Sequence, residues 1–207
     1  MPRETDLCHA PPFLLFDLGG VLIENTTFEK LRNLLPIPTD RTLLKERWLA
    51  SSAVRRFELG QSTPNEFADA FLTEWGIRMT PARFLKEFAS WPCGFYPGAR
   101  DTLHLLRHQF SVGCLSNSNV LHWERFNGFK DDFDIALSSH RLGAIKPDEE
   151  AFVGALSACG VEPSAVYFFD DSARNVQAAN RLGIQAFQVD GMAPLLHILR
   201  TESLMPR

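Results

Sequence analysis

The chain has 207 residues, of which 45% are hydrophobic and 22% are charged, a composition typical of globular domains and unlike that of disordered or fibrous chains. Its 21 basic and 25 acidic residues give a net charge of −4, so the sequence lacks the positive charge that nucleic-acid binding uses. No apolar run approaches the ~20 residues of a membrane-spanning helix, and the N-terminal segment lacks the apolar stretch of a signal peptide. We therefore expect a cytoplasmic protein with neither a nucleic-acid nor a membrane partner.

Five short apolar segments predict buried parallel strands, because each is apolar on both faces and ends in polar or glycine residues. They begin at Pro12, Phe110, Phe133, Ala165 and Ile184. From about residue 97 onward they alternate with helical patterns such as 173–182, which ends at Gly183. The alternation predicts right-handed β-α-β units and an α/β fold, a Rossmann-like parallel sheet with helices on both faces.

The stretch 26–92 contains no convincing strand and is divided by proline and glycine into short helical segments. Thr63 before Pro64 is a typical helix start. Four large apolar residues recur at helical spacing, and packing explains them better than ligand contact: Phe67, Phe71, Leu72 and Trp75. We therefore predict a core formed by 1–25 and 93–207, with 26–92 as an all-helical cap insert after the first strand.

Polar residues follow four of the predicted strands. They are Asp17 and Gly19 after the first, Ser116 and Asn117 after the second, Lys146 after the third, and Asp170 and Asp171 after the fourth. Open α/β sheets bind ligands at the carboxyl ends of their strands, so these residues are expected to meet at one edge. Three carboxylates facing one spot need a cation to offset their repulsion, and oxygen ligands beside a phosphate suit Mg²⁺.

Four segments in the same order resemble the motifs of the haloacid dehalogenase (HAD) superfamily, in the branch with a helical cap after the first strand. They are FDLGGVL, CLSN, the lysine of GAIKPDEEAF, and FFDDSARNVQAA, and the resemblance spans about residues 12–190. The branch most alike contains sugar-phosphate phosphatases and the phosphatase domain of soluble epoxide hydrolases. The resemblance implies Mg²⁺-dependent hydrolysis of a small-molecule phosphate monoester, such as a sugar phosphate, by a monomer or homodimer.

The same resemblance implies roles for the acidic residues. Asp17 would be the nucleophile and form an aspartyl-phosphate that water then hydrolyses. Asp17, the backbone carbonyl of Gly19 and Asp171 would hold Mg²⁺. Asp170 would support the site, and Asn175, at the start of the following helix, would brace the acidic loop.

It also implies which residues bind the phosphate. Ser116 and the backbone of Asn117 would donate hydrogen bonds to phosphate oxygens. Lys146 would neutralise both the nucleophile and the phosphoryl group, because an ammonium group is a point charge suited to phosphate. These residues complete a site in which each predicted strand end contributes one part of the chemistry.

One position departs from the pattern of the resembling phosphatases, because Gly19 stands where they carry a second aspartate. That aspartate protonates the leaving oxygen and later activates water, help that is typically worth ~10²–10⁴-fold. Its metal contact comes from the backbone, so glycine keeps that ligand.

Three alternatives follow from the glycine. The acid comes from water, the substrate or the cap insert; or the enzyme acts only on esters with good leaving groups, such as sugar 1-phosphates and acyl phosphates; or the protein is not a phosphatase. The last alternative would be a 2-haloacid dehalogenase-type hydrolase, which attacks carbon without a metal, or a catalytically impaired protein that binds a phospho-ligand. We hypothesise the second, because variants with this glycine occur among family members that resemble sugar 1-phosphate phosphatases.

Overall fold

The computed structural model describes residues 11–37, 39–125 and 129–206 of the chain. Its strands are β1 (Phe13–Phe16), β2 (Ile23–Asn25), β3 (Pro92–Phe95), β4 (Ser111–Ser116), β5 (Ile135–Ser138), β6 (Val166–Asp170) and β7 (Gln185–Gln188). Its α-helices are α1 (Thr27–Leu34), α2 (Arg41–Ala50), α3 (Ser52–Glu58), α4 (Pro64–Trp75), α5 (Pro81–Phe88), α6 (Ala99–Arg107), α7 (Val120–Trp123), α8 (Ser139–Leu142), α9 (Glu149–Cys159), α10 (Ala173–Arg181) and α11 (Met192–Thr201). None of the helices in these described ranges combines the length and the apolar character needed to cross a membrane.

The main sheet contains five parallel strands in the order β5-β4-β1-β6-β7, one from each of the five apolar segments. β1 lies at its centre, where Phe16 is paired with Cys114 of β4 and with Phe169 of β6. Because these strands run in one direction, the residues that follow β1, β4 and β6 emerge at the same edge of the sheet. The predicted Rossmann-like α/β fold is confirmed, and Asp17 lies between the ends of its two neighbouring strands.

Helices cover both faces of this sheet, and successive residues of β1 alternate between the two faces. Leu14 and Phe16 pack in one buried cluster with residues of α6 and α11. Phe13 and Leu15 pack in a second buried cluster with residues of α9 and α10. Burial on both sides explains why β1 is a continuous apolar run in the sequence.

The cap insert has a hydrophobic core of its own. α4 begins at Pro64, after a capping box in which Thr63 and Glu66 exchange side-chain to backbone hydrogen bonds, so the predicted helix start is confirmed. Phe57 of α3 stacks on Phe67 of α4, with ring centroids 4.3 Å apart. The four residues that were expected to pack are all buried in this core: Phe67, Phe71, Leu72 and Trp75. Aromatic packing therefore holds the helices of the cap insert together.

A two-stranded antiparallel sheet, β2 with β3, lies where the cap insert joins the main sheet. The sequence pattern does not predict this pair, because β2 has three residues of which two are exposed, and β3 begins at Pro92. Such short mixed segments lack the apolar run of a buried strand. The pairing places the two connections of the cap insert side by side.

Gly60, between α3 and α4, lies against α8. Its φ is +71°, and an added Cβ atom would approach the carbonyl oxygen of His140 more closely than real Cβ atoms do. We expect Gly60→Ala to lower the free energy of unfolding by about 2–5 kcal/mol, because a left-handed backbone and a steric contact both oppose the side chain.

The matched control is Gly76→Ala, measured by the same urea unfolding. Gly76 has a φ of +66°, but among the described residues no atom beyond Gly76 and its two chain neighbours lies within 4 Å of an added Cβ. We expect the free energy of unfolding of this variant to fall by about 1–2 kcal/mol, which is the cost of the left-handed backbone alone. Equal losses in the two variants would contradict a close contact between Gly60 and α8.

Candidate active site

Asp17 follows β1 at the centre of the carboxyl edge of the sheet. Its backbone N–H donates to the carbonyl oxygen of Phe169 at 2.8 Å, which extends the pairing with β6 by one residue and fixes the backbone at this point. The residue is 8% exposed. A carboxylate this buried needs a charged or hydrogen-bonding partner.

Lys146 is that partner. Its Nζ lies 3.0 Å from Oδ1 of Asp17 and 2.6 Å from Oδ2 of Asp170. Asn117 holds the Lys146 backbone at two atoms, because its Nδ2 donates to the carbonyl oxygen at 2.8 Å and its Oδ1 accepts from the N–H at 2.9 Å. Lys146 therefore links residues at the carboxyl ends of three different strands, β1, β4 and β6.

The charges of this cluster oppose one another. Burial raises the pKa of Asp17 to about 7; Lys146 offsets part of the rise, whereas Asp170 and Asp171 add to it. Burial by itself would lower the pKa of Lys146, but the carboxylates of Asp17 and Asp170 outweigh that effect and the pKa is raised. Lys146 is therefore a cation at neutral pH, although its side chain is 1% exposed.

Asp170 is fully buried, and both of its carboxylate oxygens are engaged. Nδ2 of Asn175, in the first turn of α10, lies 2.9 Å from Oδ1 and 3.0 Å from Oδ2. The N–H of Ser172 also donates to Oδ1, at 2.8 Å. With Lys146 on Oδ2, these contacts leave Asp170 as a support for the lysine.

Three carboxylates at this edge form a candidate cation site. One oxygen from each of Asp17, Asp170 and Asp171 lies within 4.8 Å of the others. Gly19 lines the same space, and its carbonyl oxygen accepts no hydrogen bond from the residues that the structure describes. Oxygen donors with this much negative charge fit Mg²⁺ well. Oδ2 of Asp171 also lies 3.7 Å from Nζ of Lys45, on α2 of the cap insert.

A cavity of about 290 Å³ lies between this edge of the sheet and the cap insert. Seven of the eight predicted site residues line it, and the eighth, Asp170, is connected to it through Lys146. Ser116 is buried at the end of β4 and lines the cavity beside Asn117. The cap insert contributes apolar and charged side chains to the same wall, among them Phe28, Lys45, Trp48 and Glu58.

Sequence patterns do not identify several polar residues of the cavity wall, and three of them bear on the site. Lys45 and Glu58 come from the cap insert, and Asn25 ends β2. Periodicity shows which residues of a helix share a face, but it does not show which part of that face meets another domain. A Cβ atom on Gly19 would lie 3.0 Å from Nδ2 of Asn25, so this amide lies in the space that a larger side chain at position 19 would enter.

His122 also lines the cavity, and its ring is held in the neutral form. Nε2 donates to the carbonyl oxygen of Phe88 at 2.8 Å, and Nδ1 lies 3.2 Å from the amide nitrogen of Asn119. The imidazole stacks on the Phe88 ring at a centroid distance of 4.2 Å. Its contacts with Phe88 join the core to α5. Burial lowers the pKa of His122 to about 4, so at neutral pH the ring carries one proton, which is already donated to Phe88.

Comparisons with known proteins agree with this geometry. A sequence model of the haloacid dehalogenase-like hydrolases matches residues 13–183. A phosphatase of Mycobacterium tuberculosis (strain CDC 1551 / Oshkosh) is 37% identical over 145 residues, which is 68% of this chain and 59% of that protein. The chain thus spans less than two thirds of that relative. A phosphoglycolate phosphatase of Pseudomonas putida is 28% identical over 230 aligned positions, covering 95% of this chain and 79% of its own length.

Solved structures show the same architecture. A HAD family enzyme from Bacteroides thetaiotaomicron, crystallised with magnesium and inorganic phosphate, superimposes with a TM-score of 0.74 at 26% identity, over 92% of this chain and all of that one. A 2-haloacid dehalogenase from Pseudomonas syringae has a TM-score of 0.62 over 93% of this chain and 98% of its own, and at 19% identity this likeness is one of fold alone. The family match covers most of the chain, and relatives named as phosphatases accompany it. The chain therefore belongs to the haloacid dehalogenase-like hydrolases.

Proposed function

We propose that this hydrolase cleaves small phosphate monoesters in a Mg²⁺-dependent reaction, through an aspartyl-phosphate on Asp17. Residues 1–25 and 93–207 would form the catalytic core, and the cap insert, 26–92, would select the substrate. The observation that carries the proposal is the buried ammonium group of Lys146, held between Asp17 and Asp170 at the floor of the cavity. A cation in this position can stabilise the negative charge of a bound phosphoryl group as well as orient the nucleophile.

The chain's own residues divide the work of the first step. An oxygen of Asp17 attacks phosphorus in line with the leaving oxygen, and the reaction needs this alignment because a carboxylate is a weak nucleophile in water. Lys146 favours the ionised form of the Asp17 carboxylate, because it offsets part of the rise in the Asp17 pKa, and it balances the charge of the phosphoryl group. Ser116 and the backbone of Asn117 donate hydrogen bonds to phosphate oxygens. The second step is hydrolysis of the acyl phosphate by water, which restores Asp17.

The candidate cation site fits a magnesium ion. Asp17, the carbonyl of Gly19 and Asp171 would hold it, while Asp170 and Asn175 keep the loop in place. When bound, the ion supplies positive charge to the phosphoryl oxygens. The magnesium and phosphate crystallised with the Bacteroides thetaiotaomicron enzyme support this part of the proposal.

The cavity favours a small substrate. Its volume of about 290 Å³ is just below the usual range of about 300–1,000 Å³ for small-molecule sites. Trp48 and Phe28 offer apolar surface, whereas Lys45 and Glu58 offer groups that can bind hydroxyl or anionic substituents. Phosphorylated sugars and phosphorylated short acids therefore form the first substrate panel.

The first test is a phosphate-release assay of the purified protein on sugar 1-phosphates, sugar 6-phosphates, phosphoglycolate and an aryl phosphate. We expect turnover with Mg²⁺, loss of turnover in EDTA, and recovery when excess Mg²⁺ is added back, because the three carboxylates need a cation to accept a phosphate dianion. Halide release from a 2-haloacid in EDTA would instead identify a dehalogenase. Phosphate binding without turnover on any ester would identify a binding protein.

A further inference from the structure

Among the described residues of the main sheet and its loops, no free acid in the site faces the leaving oxygen. Gly19 has no side chain, and the group beside it is the amide of Asn25, which is not an acid at neutral pH. Lys146 already donates to two carboxylates, and both ring nitrogens of His122 are engaged. An ester with an alkoxide leaving group needs such a donor, because the departing oxygen is strongly basic.

A carboxyl group reaches this cavity from the cap insert. Glu58 is the last residue of α3 and lines the cavity together with Asp17 and Lys146. Among the described residues, its side chain has no hydrogen-bond or ion-pair partner. Every other carboxylate in the cavity wall is accounted for, since Asp17 contacts Lys146 and Asp171 contacts Lys45. Glu58 is therefore free to contact a substrate.

The position of Glu58 is fixed relative to the sheet. Three residues before it, Arg55 forms an ion pair with Asp148, at the start of α9. Two residues after it, Gly60 lies against the backbone of His140. The same short helix buries Val54 and Phe57. α3 is thus anchored on both sides of Glu58, which is what a group acting on a reacting atom requires.

The surroundings of Glu58 favour its protonated form. Burial raises its pKa to about 8; the charge of Asp17 adds to the rise and Lys146 offsets part of it. A carboxyl group that is neutral near pH 7 can give up a proton to a departing oxygen and take one back from water.

We propose that Glu58 is the general acid and base of this site, supplied by the cap insert in place of the side chain that is missing at Gly19. The inference rests on the proposed function, in which Asp17 is the nucleophile. As the bond between Asp17 and phosphorus forms and the ester bond breaks, the proton of Glu58 passes to the leaving oxygen and an alcohol departs. The Glu58 carboxylate then takes a proton from the water that attacks the aspartyl-phosphate, which releases inorganic phosphate and restores both acids.

This assignment changes the expectation for substrates. If position 19 lacked any substitute, the enzyme would be restricted to esters with good leaving groups. With Glu58 as the acid, the wild-type protein also hydrolyses alkyl phosphates, and the restriction applies to the protein without Glu58.

The test compares Glu58→Gln with the wild type on an aryl phosphate, whose leaving group needs no proton, and on the most reactive alkyl phosphate of the panel. We expect kcat/KM to fall ~10²–10⁴-fold for the alkyl ester and less than about 5-fold for the aryl ester. An exposed control, Glu162→Gln, should match the wild type on both. Equal losses on the two esters, or no loss on the alkyl ester, would overturn the proposal, because a binding or structural role does not distinguish leaving groups.

Two further variants separate the possible failures. In Gly19→Asp/Glu58→Gln the Asn25 side chain must shift to admit the new carboxyl group. If the missing function is proton transfer, kcat/KM for the alkyl ester should be at least ~10-fold higher in this variant than in Glu58→Gln alone. In an Asp17→Asn background, which cannot turn over, Glu58→Gln should change the Kd for the alkyl ester less than about 3-fold by calorimetry. A larger loss of affinity would assign Glu58 to substrate binding. If Asp17→Asn itself retains full turnover, the proposed function fails, whereas a wrong leaving-group pattern alone refutes only the role of Glu58.

Discussion

Asp17→Asn is expected to lose roughly 10⁴-fold or more of kcat on every ester of the panel, because the amide oxygen cannot act as the nucleophile. The side chain keeps its size, and the change removes one of three neighbouring negative charges. Asp170 remains to pair with Lys146. The variant should therefore stay within about 1 kcal/mol of the wild-type free energy of unfolding.

The control for this variant is Asp101→Asn, an exposed position in α6 away from the cavity, which should keep wild-type activity. Activity would be measured with Mg²⁺ present, and folding by circular dichroism and urea unfolding of the same samples. The variant could instead be folded and retain more than about 10% of wild-type kcat. That result would show that another group makes the first bond to phosphorus.

Lys146→Met should lose both stability and activity. Removing the ammonium group leaves Asp17 and Asp170 buried without their cation, and breaking a buried pair in this way costs about 3–5 kcal/mol. Activity should fall at least ~10²-fold as well, because the charge that faces the phosphoryl group is lost. The matched control is Lys45→Met, whose half-exposed ammonium group lies 3.7 Å from Asp171 and should contribute at most about 1 kcal/mol.

The stability lost in Lys146→Met should depend on pH. In the wild type Lys146 offsets part of the rise in the pKa of Asp17, so Lys146→Met should raise this pKa further and the folded variant should bind more protons than the unfolded chain. Its stability should therefore rise as the pH falls, and the gap to the wild type should narrow between pH ~8 and pH ~5.5. Urea unfolding in EDTA at both pH values measures this. A gap that is constant or widens at low pH would contradict an unpaired carboxylate as the cause.

Local sequence patterns are enough to predict much of the fold. The five strands of the main sheet are continuous apolar runs because each is buried on both faces, as the two clusters around β1 show. Their order in the chain and the one direction of parallel strands place Asp17, Ser116 and Asp170 at a common edge. The capping box at Thr63 is equally local, because all of its atoms lie within one turn of helix.

Other parts of the site depend on contacts that no local pattern encodes. The side chain of Asn117 binds the backbone of Lys146, 29 positions along the chain. The sequence does not reveal this contact, because asparagine is equally common in exposed turns. Glu58 and Lys45 reach the cavity because aromatic packing and the contact at Gly60 set the orientation of the cap insert. A charged residue on a short helix is usually solvated, so neither residue carries a signal in the sequence.

The most direct test of the central claim is the stereochemical course of the reaction at phosphorus. A phosphorothioate ester made chiral with two oxygen isotopes would be hydrolysed in water that carries the third isotope, and the configuration of the product would be determined. Attack by Asp17 and then by water makes two in-line displacements, each with inversion, so we predict overall retention of configuration. Inversion would mean that water attacks the ester directly, and it would contradict an aspartyl-phosphate on Asp17.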